Sequence, residues 1–91
     1  MSNPNYLSEV SDLFLQRRGG ALHLSPLDWT VIEKWQREDV PLFIVIRAVN
    51  NIFDKIEMKP KRLRPQIKSI TYCAEEIESA FETWLEMQVG K

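Results

Sequence analysis

The sequence predicts an all-α protein, a compact bundle of about four helices around a central third helix. Three observations carry this. The stretch from Val40 to Met58 places Leu42, Val45, Ile46, Val49, Ile52, Phe53 and Ile56 at i, i+3, i+4, i+7, i+10, i+11 and i+14, one apolar stripe of a helix. Ser25-Pro26-Leu27-Asp28 is a complete helix-start signal, with serine as N-cap, proline at the first helical position and an acid three residues after the cap. The remaining apolar residues also recur at steps of three and four, between glycines and prolines that punctuate the chain.

A first helix is expected over 5–18, with Tyr6, Val10, Leu13 and Phe14 on its apolar side and Arg17 extending the same row. Arg17 and Arg18 then sit at the negative end of the helix dipole, and Gly19-Gly20 stops the helix. Two glycines beside two arginines are also compatible with a phosphate contact. No Lys-Ser/Thr or further glycine motif follows, however, so a C-cap is the favoured reading. Ala21 to Leu24 forms a short connector whose Leu22 and Leu24 tuck under the bundle.

The second helix, 26–38, turns Leu27, Val31, Ile32 and Trp35 inward and pairs Glu33 with Arg37 outside. Trp29 lies about 120° around the helix from Trp35 and is therefore expected to be partly exposed, against a neighbouring element or as an anchor for a partner. Pro41 forces Val40 out of helical geometry, which suits a left-handed Asp39 and a tight turn into the third helix, 41–58. That helix puts Arg47, Asn50, Asn51 and Asp54 on the face opposite its stripe. Its apolar start, Pro41-Leu42-Phe43-Ile44, is wrong for a helix that reads DNA bases.

Lys59 to Lys68 is a proline-stiffened connector, pinned by Leu63 and Ile67. The last helix, 71–88, carries Cys73, Ala74, Ile77, Phe81, Trp84 and Leu85 on its apolar side, and Gly90 marks its fraying end. A chain of 91 residues fits one domain, 1–91, and 44% hydrophobic with 27% charged residues is ordinary globular composition. No signal or membrane-spanning segment is evident, so a cytoplasmic location and no membrane partner are expected.

Candidate chemistry is sparse. Cys73 is the only cysteine and His23 the only histidine, which excludes an internal disulfide and a Cys/His zinc cluster. His23 lies in a connector without a nucleophile motif, and Cys73 lies on an apolar stripe where a small buried hydrophobe is the favoured reading. No catalytic residue, metal ligand or cofactor site is predicted, and the chain is expected not to be an enzyme.

Charge is the informative feature. The net charge of −1 conceals five cations and no acid in the connector, Lys59, Lys61, Arg62, Arg64 and Lys68, against an acidic last helix with Glu75, Glu76, Glu78, Glu82 and Glu86. Glu78, Glu82 and Glu86 repeat every four residues and call for a cation alongside, from the connector or from a second copy. If the connector is open, its five cations predict phosphate contacts with a log–log salt slope of about −4.5 on duplex DNA. If it pairs with the acidic row, it is a structural clamp. No aromatic residue interleaves it, which argues against base stacking.

Ser25-Pro26-Leu27-Asp28-Trp29, Trp35, Val40-Pro41-Leu42 and Val45-Ile46-Arg47-Ala48-Val49 resemble the S-P-x-D-W…W…I-P-L-x-x-V-x-R pattern of a group of small uncharacterised bacterial proteins. With Tyr72 and Trp84 added, the chain from Leu24 to Leu85 distantly resembles the DnaD-type helical domain of replication-initiation proteins. That resemblance implies a helical module contacting nucleoprotein assemblies, with basic residues near the last helix touching DNA. The residues themselves favour a non-catalytic interaction module, self-associating or bound to a protein partner, with Trp29, Glu78, Glu82 and Glu86 as candidate partner surface. Nucleic acid binding through Lys59 to Lys68 is the alternative.

Overall fold

A computed structural model describes residues 4–19 and 23–89. Gly20, Leu22 and Gly90, to which the sequence assigned roles, lie outside the described residues. The four helices are α1 (Tyr6–Arg18), α2 (Pro26–Arg37), α3 (Leu42–Glu57) and α4 (Ala74–Val89). Short 3-10 turns at Lys61–Leu63 and Ile70–Cys73 lie between α3 and α4. No strand occurs among the described residues, and the all-α bundle is the observed architecture.

Local signals place the helix ends. Gly19 caps α1 at φ 72° with its N–H bonded to the Leu15 carbonyl at 3.1 Å. Ser25 and Asp28 form the reciprocal capping box of α2. At the far end of α2, Asp39 takes φ 60°. Its N–H reaches the Gln36 carbonyl and the Val40 N–H reaches the Trp35 carbonyl, a Schellman closure with aspartate in the left-handed position. Val40 and Trp35, both buried, supply the apolar contact of that motif, and the Tyr6 hydroxyl donates to the Val40 carbonyl at 2.9 Å, tying α1 to the turn.

α3 is the centre of the core, with α1 along one flank and α4 along the other. The main backbone neighbours of α2 are α1 and the turn at Ile70–Cys73 rather than α3. The buried arc of α3 is Ile44, Val45, Ala48, Val49, Ile52, Phe53 and Ile56, whereas Leu42 and Ile46 of the expected stripe are only half-buried. The cause is α4, which approaches on the Ile44–Ala48 side, where the small Ala48 permits close contact.

Three other expectations need correction. Leu27 is 58% exposed, and its α2 neighbour Asp28, 1% exposed, is the residue turned inward. In the connector Ile67 is buried as expected, but Leu63 is exposed. Glu33 and Arg37 do not form an ion pair.

Asp28 has a second task that helix periodicity could not reveal. Besides accepting the Ser25 N–H at 3.1 Å, its carboxylate accepts the Ser69 hydroxyl at 2.5 Å and the Ile70 N–H at 3.0 Å. One side chain therefore starts α2 and holds the turn that leads into α4. Burial alone would raise its pKa, but the bonds from Ser69, Ser25 and Ile70 outweigh burial and hold it below the usual carboxylate value.

Candidate functional site

Among the described residues, charge and exposed apolar side chains gather on three surfaces. The basic connector comes first. Its Arg64 is turned back on the end of α3, donating through Nε to the Lys59 carbonyl at 2.8 Å and through Nη2 to the Glu57 carbonyl at 2.9 Å. Carbonyls at a helix C-terminus have no intrahelical donor, so Arg64 serves as a cap and stiffens the connector. Lys59, Lys61, Arg62 and Lys68 are exposed and enter no ion pair among the described residues.

The acidic row of α4 takes its cations elsewhere. Glu78 meets Lys34 of α2 at 3.9 Å, and Glu76 meets Lys55 of α3 at 4.0 Å. Glu75, Glu82 and Glu86 are exposed and without an ion pair among the described residues. Basic connector and acidic helix therefore do not neutralise each other. Trp29, the other candidate partner residue, is 37% exposed on α2.

The fold also brings Arg17 and Arg18 of α1 to the connector. Together with Arg64 and Lys68 they border a concavity of about 550 Å³. Arg17 is neutralised there: Nη1 donates to Asn50 Oδ1 at 2.9 Å and Nη2 to Asp54 at 2.8 Å and Glu57 at 3.2 Å. Arg18 lies over the Phe14 ring and donates to the Lys68 carbonyl.

The third surface, the seam between α3 and α4, is the one sequence reasoning missed. Near the end of α3 a concavity of about 590 Å³ has Ile52, Ile56 and Tyr72 as its apolar lining, Lys55 and Lys59 on the α3 edge and Glu75 and Glu76 on the α4 edge. A second, of about 450 Å³, continues along the seam and shares Glu76; Phe43, Ile44, Ala48, Ala80, Trp84 and Met87 supply its apolar lining and Arg47 its charge. Phe43 and Met87 are 47% and 62% exposed there. Phe43 meets the edge of Trp84 at 6.4 Å, Phe81 stacks on Trp84 at 6.2 Å, and Arg47 covers the Phe43 ring. Thus, where α3 ends and α4 begins, the seam has a basic edge of Lys55 and Lys59 facing an acidic edge of Glu75 and Glu76, over an apolar floor that continues to Phe43 and Trp84. The clue in the sequence was excess: α4 has more apolar positions than one neighbour can cover, and of its residues only Ile77 is fully buried.

Cys73 is fully buried, and burial first, then the charge of Glu76, pushes its thiol up to about 12. A thiol held neutral in this way is a poor nucleophile. His23 is exposed. Among the described residues no group of three His, Cys, Asp or Glu side chains is placed to hold a metal ion, and no helix is long and apolar enough to cross a membrane.

Fold and surfaces together define a small all-α module that presents an apolar two-helix face with oppositely charged edges. The chain belongs to a family of uncharacterised proteins, whose model matches residues 5–91. No curated protein and no solved structure matches it.

Proposed function

We propose that the protein is a non-catalytic interaction module that receives an amphipathic helical surface along the α3/α4 seam. The observation that supports this is the seam itself: two packed helices leave aromatic and aliphatic side chains in the open, bordered by charges of opposite sign. Single exposed hydrophobes are common, but a continuous apolar strip rimmed by charge is the usual form of a helix-binding groove. Such a groove binds through a few buried anchors, and Phe43, Trp84 and Met87 are placed to supply them.

A synthetic amphipathic helical peptide with one acidic and one basic flank tests this by amide NMR titration. Shifts are expected at Ala80, Thr83, Trp84 and Met87, and are lost in Phe43→Asp and Met87→Glu. Absence of binding, or shifts confined to α1 and α2, removes the reading.

A second reading, nucleic acid contact through the connector, is favoured by the open state of Lys59, Lys61, Arg62 and Lys68 and by the distant DnaD-type resemblance. With Arg64 occupied as a cap, four cations remain, and the expected salt slope on duplex DNA falls to about −3.6. A fourfold rise in salt then weakens binding about 150-fold. Anisotropy with a mixed-sequence duplex decides it: binding unchanged by Lys61→Gln, Arg62→Gln and Lys68→Gln ends this reading.

A further inference from the structure

The signs of the two edges say more about the occupant. Resting on the seam as a docking groove, we infer that its occupant is the same face of a second copy of this chain, related by a two-fold axis running along the groove.

Two copies packed face to face are related by an axis lying in the plane of contact, and two simple orientations exist. An axis across the helices would lay α3 on the partner's α3, setting Arg47, Lys55 and Lys59 against the partner's basic edge. An axis along the helices lays α3 on the partner's α4. α3 and α4 run antiparallel, since Phe43 at the start of one meets Trp84 near the end of the other and Lys55 reaches Glu76. Lys55 and Lys59 therefore stand level with Glu75 and Glu76 across the same concavity. Rotation about the groove axis preserves that level and brings the partner's Glu75 and the partner's Glu76 onto Lys55 and Lys59. The reciprocal contact follows by symmetry. At the other end Phe43 comes onto the partner's Met87, and Met87 onto the partner's Phe43. Of the two orientations, only this one sets Lys55 and Lys59 against the partner's acidic edge.

Size sets the strength. Sixteen helical residues span about 24 Å, and two helices side by side give a face about 20 Å wide. The pair then buries about 1,000 Å² in total, at the small end of specific interfaces. A reversible monomer–dimer equilibrium is expected rather than an obligate dimer.

Sedimentation equilibrium from about 10 μM to about 1 mM is the measurement. The wild-type mass should rise towards twice the monomer and fall back as salt is added. Lys55→Glu with Lys59→Glu makes both edges acidic, and Glu75→Lys with Glu76→Lys makes both basic. Each double variant, with its helical circular dichroism retained, should dimerise at least about a hundredfold more weakly. An equimolar mixture of the two should restore association as a heterodimer.

A dimer that tightens with salt places like edges together and overturns the orientation. A wild type monomeric throughout the range, double variants that associate as wild type does, or a mixture that stays monomeric overturns the proposal. A monomeric chain that still binds the helical peptide of the preceding test leaves the groove standing and removes only the second copy as its occupant.

Discussion

On the side of α3 that faces α1, Phe53 meets the edge of Phe14 at 5.9 Å, and Arg17 ties Asn50, Asp54 and Glu57 across the same interface. On the side that faces α4, Phe43 meets the edge of Trp84 at a similar distance, yet both rings remain partly in solvent and the ion pair across the seam is 4.0 Å long. The same kind of ring contact is closed over in one place and left open in the other. What differs is how the covering arginine is held: Arg17 lies over the Phe53 ring with both Nη atoms bonded to Asn50, Asp54 and Glu57, while Arg47 lies over the Phe43 ring with no hydrogen bond or ion pair among the described residues and leaves that ring 47% exposed. Apolar periodicity thus reports that a surface wants burial. It does not report whether the chain itself provides it.

The sharpest test of this contrast is a pair of truncations. Phe53→Ala removes a buried ring from the closed flank and should cost about 3 to 5 kcal/mol in urea unfolding. Phe43→Ala on the open flank should cost less than about 1 kcal/mol in the monomer. Equal costs would mean that the α4 flank is as closed as the α1 flank.

Next in size is Asp28. Replacement by alanine strands the Ser69 hydroxyl and the N–H groups of Ser25 and Ile70, and should cost about 2 to 3 kcal/mol. Its pH dependence has a definite sign. Because the folded-state pKa is lowered, the contribution is fully present above the unfolded value of 3.8 and is lost as the pH falls through the folded value. Asp28→Asn should flatten that acid limb of a stability–pH profile.

The smallest effect is at Arg17. Its carboxylate partners are 64% and 54% exposed, so Arg17→Met should cost about 1 kcal/mol, less at high salt. A loss that salt does not diminish would locate the role of Arg17 in covering Phe53 rather than in its charge.

Much of this architecture was legible in the residues, and the reasons are local. A capping box, an aspartate two residues before a proline and a glycine after two arginines act within a turn or two of chain, and Ser25, Asp39 and Gly19 do what such residues do anywhere. Long-range choices were not legible. Leu42 and Ile46 fit the stripe of α3 as well as Ile44 and Ala48 do, and only the approach direction of α4 decides between them. Asp28 was visible as a cap for its own helix, but its bonds to Ser69 and Ile70 span 41 and 42 residues. Arg64 looked like surface charge because a backbone carbonyl leaves no signature in the sequence. The seam escaped for the same reason: Trp84 reads as part of the apolar side of α4, and nothing local to Phe43 or Met87 says that they share a concavity with it.

Those long bonds of Asp28 also bear on the order in which the molecule opens. The hydrogen bonds that hold the turn at Ile70–Cys73 to α2 go to one carboxylate, and α4 follows directly from that turn. The connection from α3 to α4, residues 58–73, is longer than those joining the earlier helices, 19–25 and 38–41, and closing it carries more entropy. In native-state hydrogen exchange the amides of α4 should therefore exchange as one group, at a lower opening free energy than those of α1 and α3. Cys73 supplies a chemical clock for the same event: neutral and buried while α4 is docked, its thiol should be labelled only as fast as that helix departs.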